Sequence, residues 1–244
     1  MVAEVIAILS GKGGTGKTSL CAGIAMALAQ EGNQVLCIDC DVGLRNLDIA
    51  LGLSDLGSIS FLEVCRGDYS LDYATVHPRC GNLRFLTAPV NCQADHIDRF
   101  DFARMLDLAR TRYQYIFLDA PAGIEAGFRL AAGAADRVII VSNADPASIR
   151  DAGRSAEELE RMGKPARLIV NRLRKKMFKT VKLTVDDIMD DAGLPLLGIV
   201  PEDEHVVFAA AFGKPLLGYT KKGAAAACRR IARRLQGKRV KIHL

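Results

Sequence analysis

No apolar run in the 244-residue chain approaches the roughly 18–20 residues that a membrane-crossing helix needs. The N-terminus lacks a basic leader and a cleavage site, because MVAEVIAILSGKGG passes from an apolar segment straight into glycines. That excludes a secretory signal. A disulfide framework is also missing: seven cysteines at 21, 37, 40, 65, 80, 92 and 228 are odd in number and scattered. They read as free thiols in a reducing cytosol. Cys37 and Cys40 do form a C-x-x-C, but Cys37 lies in an apolar run with the look of a buried strand. An iron–sulfur scaffold would rest on those two residues alone. No internal repeat, low-complexity tract or long linker divides the chain. We expect one domain over 1–237, followed by a short basic tail over 238–244.

What is present is a half-apolar composition with a net charge of +5, enough to build a sizeable core. The charge is concentrated at the end, where 229–244 (RRIARRLQGKRVKIHL) holds seven Lys or Arg and no acid. Such a run is a solvated face, a nucleic-acid contact or a contact with an anionic membrane. Short apolar runs at 5–9, 34–38, 83–86, 115–118, 137–141, 167–170 and 197–200 predict strands. Most are continuous rather than alternating, as in strands buried on both faces. Helical patterns fall between them at 17–31, 100–112, 127–134, 146–162, 184–191, 206–212 and 223–235. Strand and helix in alternation predict an α/β fold, a mostly parallel twisted sheet flanked by helices on both faces.

The stretch SGKGGTGKTS fits the Walker A pattern G-x4-G-K-[ST] from Gly11 to Thr18, and it follows a strand and opens a helix. By chance the pattern arises in only ~1% of chains this long. Gly11, Gly13, Gly14, Thr15 and Gly16 would turn backbone N–H groups toward phosphates, with Lys17 reaching the terminal ones and Ser19 following in the helix. Thr18 would place its hydroxyl on Mg²⁺. Carboxylates end two neighbouring strands: Asp119 in YIFLDAPAG, and Asp39 and Asp41 in VLCIDCDVG. Ligands of open parallel sheets sit at those strand ends, so the acids and the loop should converge. Lys12 is a second lysine at the loop's start. Geometry alone leaves it either a solvated loop residue or a side chain reaching a phosphate held by another subunit.

With Lys12, the stretch KGGTGKT resembles the deviant Walker A motif of the ParA/MinD superfamily of ATPases. DCDVGLRNLDIALG (39–52), LDAPAGIEAGF (118–128) and GIVPEDEHV (198–206) are similar to blocks of its cell-division site-selection branch, in the right order along nearly the whole chain. The resemblance implies a P-loop NTPase fold and an ATP hydrolase using ATP/ADP and Mg²⁺. It implies Lys12, Lys17, Asp41 and Asp119 as catalytic residues. Lys12 would act across an ATP-induced homodimer, Asp41 would orient the attacking water, and Thr18, Asp41 and Asp119 would surround the metal. It further implies that Asn171 reads the adenine edge, that Pro201 and Glu202 line the adenine, and that Asp145 or Asp151 pairs with Lys12.

Expected partners are a division-site inhibitor and an ATPase-activating protein. The location would be cytoplasmic, with weak peripheral contact at the inner face of the cell membrane. The tail departs from the family, whose members end in a short amphipathic membrane-binding helix. Val240, Ile242 and Leu244 alternate here, which suits a strand. A partition-type ATPase binding nucleic acid non-specifically is the alternative.

Overall fold

In the computed structural model, residues 3–90, 92, 94–174 and 184–243 are described. Eight strands form one sheet: β1 (Glu4–Leu9), β2 (Val35–Asp39), β3 (Thr75–Val76), β4 (Leu83–Leu86), β5 (Tyr115–Asp119), β6 (Arg137–Asn143), β7 (Ala166–Leu173) and β8 (Leu196–Pro201). Their order is β3-β4-β2-β5-β1-β6-β7-β8, and only the β3–β4 pair is antiparallel. The expected mostly parallel sheet is therefore present.

The period-two geometry of a strand explains the continuous apolar runs. In β1, Val5, Ala7 and Leu9 enter one apolar layer, while Ile6 and Ile8 enter the other. Helices α3 (Phe61–Arg66), α4 (Arg99–Arg110), α5 (Ala126–Ala134), α6 (Pro146–Arg161) and α7 (Val185–Ala192) contribute to the first layer. The second is covered by α1 (Lys17–Gln30), α2 (Leu47–Leu51), α9 (Leu216–Tyr219) and α10 (Gly223–Leu235). Helix α8 (His205–Ala211) follows β8 and buries only Ala209. No disulfide joins the seven cysteines, and Cys37 is fully buried in β2. Among the described residues no cluster of three or more His, Cys, Asp or Glu could hold a metal ion by itself, and Cys40 is buried like Cys37.

Strand β1 lies between β5 and β6, so the chain winds one way from it through β5 and β2, and the other way through β6, β7 and β8. That reversal opens a crevice at the C-terminal end of β1, where open α/β sheets bind ligands.

The tail corrects one expectation. Residues 238–243 form no strand, and Leu244 lies outside the described residues. The Arg234 guanidinium takes up the tail's carbonyls, donating to Val240 O (3.1 Å) and Lys241 O (2.7 Å). Glu31, at the end of α1, accepts from Gln236 (2.8 Å), Arg233 (3.0 Å) and Lys238 (3.2 Å). The Gln236 hydrogen bond and the two cations outweigh burial and hold the Glu31 carboxyl down at about 2.

Candidate nucleotide site

The loop leaving β1 can turn tightly because Gly14 (φ +78°) and Gly16 (φ +86°) adopt the left-handed conformation that costs glycine little. Close packing makes a further demand at Gly16, where a Cβ would stand 2.3 Å from Asn171 Nδ2. Helix α1 starts at Lys17 without a side-chain cap and without an acid in its first turn. Its leading N–H groups and positive dipole end are thereby left to face an anion.

Inside the loop, Lys17 donates to Asp119 Oδ1 at 2.8 Å, with side-chain exposures of 7% and 1%. Burial pulls the lysine's pKa down, but the Asp119 carboxylate outweighs it and holds the ammonium above its ordinary value. Burial pushes Asp119 up, opposed by Lys17 and by a hydrogen bond from the Thr18 hydroxyl. The structure thus brings Lys17, Thr18 and Asp119 together.

Asp39 stands beside Asp119 in the β2–β5 register. Burial, reinforced by the Asp119 charge and offset by two backbone N–H groups, raises its carboxyl to about 7. Those N–H groups belong to Asp41 (2.9 Å) and Leu47 (3.1 Å), so Asp39 pins both ends of the 41–46 loop. Asp41 sits half-buried at the loop's start. It lines a cavity of about 370 Å³ together with Lys12, Thr15, Lys17 and Thr18. The far wall comes from Val206, Ala209 and Ala210 on α8, and from Lys214. Val206 closes the 198–206 block, but no motif in the sequence marks Ala209, Ala210 or Lys214.

Lys12 differs from Lys17 in placement. Its ammonium is 4.0 Å from Asp145 Oδ1, and both side chains are about half exposed, at 48% and 45%. Asp145 is also the N-cap of α6, accepting from Ser148 N (3.0 Å) and Ser148 Oγ (2.6 Å). Asp151, the other candidate, pairs with Arg154 at 3.8 Å, and its carbonyl would meet a Cβ at Gly11 at 2.5 Å. Of the two acids, Asp145 is the one beside Lys12.

A second cavity of about 370 Å³ shares Gly16, Ser19, Val206 and Leu216 with the first and adds Asn171, Pro201 and Glu202. Asn171 is buried and donates Nδ2 to Thr15 O at 2.7 Å. The two cavities are thus contiguous, one on the glycine loop and the other beside Asn171, Pro201 and Glu202.

The residues fit a nucleotide carrying a divalent ion. Thr15 Oγ1 is buried against the loop cavity without a hydrogen-bond partner among the described residues, as a phosphate acceptor would require. Among the described residues there is no all-protein cage, but Thr18 and the acids beside it suit Mg²⁺, which is held by one or two carboxylates together with phosphate oxygens.

A glycine loop between a central strand and a helix, with a lysine and a hydroxyl at the helix start, defines a P-loop nucleotide-binding domain. A family model described as the CobQ/CobB/MinD/ParA nucleotide binding domain matches residues 6–216. The septum site-determining protein MinD of Synechocystis sp. is 39% identical over 239 residues, covering 96% of this chain and 90% of that protein. MinD in the MinC:MinD cell division protein complex of Aquifex aeolicus superposes with a TM-score of 0.91 at 38% identity, over 99% of both chains. MinD from Pyrococcus horikoshii, complexed with Mg-ADP, superposes at 0.82 with 27% identity over 96% of both. The chain belongs to the MinD family within the ParA/MinD superfamily.

Proposed function

We propose that the chain is a MinD-type ATP hydrolase that dimerises on ATP, positions the cell-division machinery and is reset by slow, partner-stimulated hydrolysis. The observation that carries this reading is the pair of unlike lysines. Lys17 is buried and committed to its own site, whereas Lys12 stands half exposed at the rim, loosely held by Asp145.

Binding begins with an exchange of anions. Lys17 leaves Asp119 for the phosphates, and the helix start and loop N–H groups supply the remaining donors. Thr18, Asp119 and Asp41 would hold Mg²⁺, which when bound neutralises charge on the phosphate oxygens. Asp41 orients the attacking water, and Lys12 of one subunit stabilises charge on the phosphoryl group held by the other. The Aquifex aeolicus relative is a complex with MinC, which supports a division-site inhibitor as partner.

Asp41→Ala should cut ATP turnover by about 100-fold or more while leaving nucleotide bound, since it removes water positioning and no phosphate contact. Phosphate release and retained nucleotide are measured together. Loss of both would show that Asp41 acts through nucleotide and metal binding alone and contradict its water-positioning role.

Among the described residues no helix is long and apolar enough to cross a membrane. We place the chain on the inner face of the membrane only transiently, through its basic end. Arg233 and Lys238 are engaged by Glu31, while Arg230, Arg239 and Lys241 carry no ion pair among the described residues. Each free cation contributes about 1 kcal/mol near an anionic leaflet, and two tails on one dimer bind jointly. Liposome sedimentation should therefore show weak binding that needs anionic lipid and ATP, is lost at high salt, and disappears when the chain is ended at Gly237. Salt-resistant binding to neutral liposomes would contradict it. Salt-sensitive DNA binding in place of lipid binding would favour the partition-type reading.

A further inference from the structure

Asn171 and Arg172 are neighbours at the end of β7, yet of the two only the asparagine is paired in the ladder with β6, opposite Asn143. The β7–β8 register slips between Val170 and Leu173, and Arg172 adopts φ +53°, one of two left-handed non-glycine residues among those described. A bulge of this kind re-aims a side chain, and such a φ is uncommon for an arginine. Arg172 is aimed at two loops that are far apart in sequence. Its Nη1 donates to Gly14 O in the phosphate loop (3.3 Å), and its Nη2 donates to Glu202 Oε1 in the base-side loop (3.2 Å). Arg174 also reaches Glu202, through its Nε. No contact of Arg174 with the phosphate loop accompanies that bond among the described interactions.

From this we infer that Arg172 is a positioning residue tying the base-side loop to the phosphate loop, so that both halves of the nucleotide meet one preassembled site. The inference rests on the nucleotide-binding reading above. Its chemistry follows from the guanidinium, whose planar fork presents two separate nitrogens to a carbonyl and a carboxylate on different loops, a span that a lysine's single nitrogen covers less well. Without the tie, a nucleotide would have to order the base-side loop as it bound, and the cost would appear as lost affinity. A ligand made of phosphates alone would not touch that loop.

The test compares ATP with inorganic tripolyphosphate, each with Mg²⁺, by calorimetry on the full chain. Arg172→Ala should weaken ATP by about tenfold and tripolyphosphate by less than about threefold. Arg172→Lys should restore ATP affinity only in part. Arg174→Ala, which removes the same charge from the same carboxylate, should change ATP affinity less than about twofold. Combining Arg172→Ala with Glu202→Gln should cost no more than Arg172→Ala alone, because both break one bridge. Should Arg172→Ala fail to fold, Glu202→Gln reads the bridge from its other end, with the same selective loss of ATP. Equal losses for ATP and tripolyphosphate, full rescue by lysine, or strict additivity with Glu202→Gln would each overturn the inference. Failure of the unmodified chain to bind ATP would instead overturn the nucleotide reading itself.

Discussion

Replacing Lys17 with alanine should abolish nucleotide binding, a loss of more than about 100-fold in affinity measured by calorimetry with ATP or ADP. Lys17 is the one loop cation buried at the phosphate cavity, so neither Lys12 nor Lys214 at its rim can stand in for it. The same substitution also strands Asp119, 1% exposed, without its cation. Breaking a buried pair in this way costs about 3–5 kcal/mol of stability. A second variant separates the two effects. Asp119→Asn added to Lys17→Ala removes the stranded charge and should recover much of the melting temperature, yet leave binding absent. Return of nucleotide binding in the double variant would show that Lys17 only neutralises Asp119 and does not hold phosphate.

Lys12→Ala should behave differently, keeping nucleotide affinity and losing hydrolysis. Among the described residues its ammonium makes one ion pair, the 4.0 Å approach to half-exposed Asp145, so little holds it in its own site. A mixing experiment exposes the direction of its action. Lys12→Ala and Asp41→Ala subunits are each inactive, but a mixed dimer contains one site with its own Asp41 and the partner's Lys12. Random pairing of equal amounts places half the dimers in that class with one competent site each, so turnover should return to about a quarter of the unmodified rate. No return of turnover, with heterodimers demonstrated by differential tagging, would mean that Lys12 works within its own chain.

Much of the fold is legible in the sequence. Seven of the strands follow from continuous apolar runs because both sheet faces are covered, which makes period-two alternation disappear in favour of plain apolarity. The edge strand β3 has only two residues and leaves no periodic trace. The short helices α2, α3 and α9 escape for the same reason, although Ser60 and Glu63 of α3 form a capping box that the S-x-x-E spacing announces. The tail misleads because alternation at 240–244 describes side chains, whereas Arg234 decides where the backbone carbonyls go.

At the site, the loop and its two acids are motif residues and therefore visible. The choice of Asp145 over Asp151 depends on where α6 points each side chain, and no spacing rule supplies that. Asp39 is visible as an acid, but its carboxyl near 7 arises from burial beside Asp119, a property of the β2–β5 register. Arg172 is hidden more deeply, since its role depends on a bulge that sequence periodicity does not register.

Sedimentation velocity on the Asp41→Ala chain, with and without ATP and Mg²⁺, is the most direct test of the ATP-driven dimer. The expected result is a monomer without nucleotide or with ADP, and a species of twice the chain mass with ATP that persists because hydrolysis is blocked. A monomer under all three conditions, with ATP shown to be bound, would contradict the two-subunit site and with it the role given to Lys12.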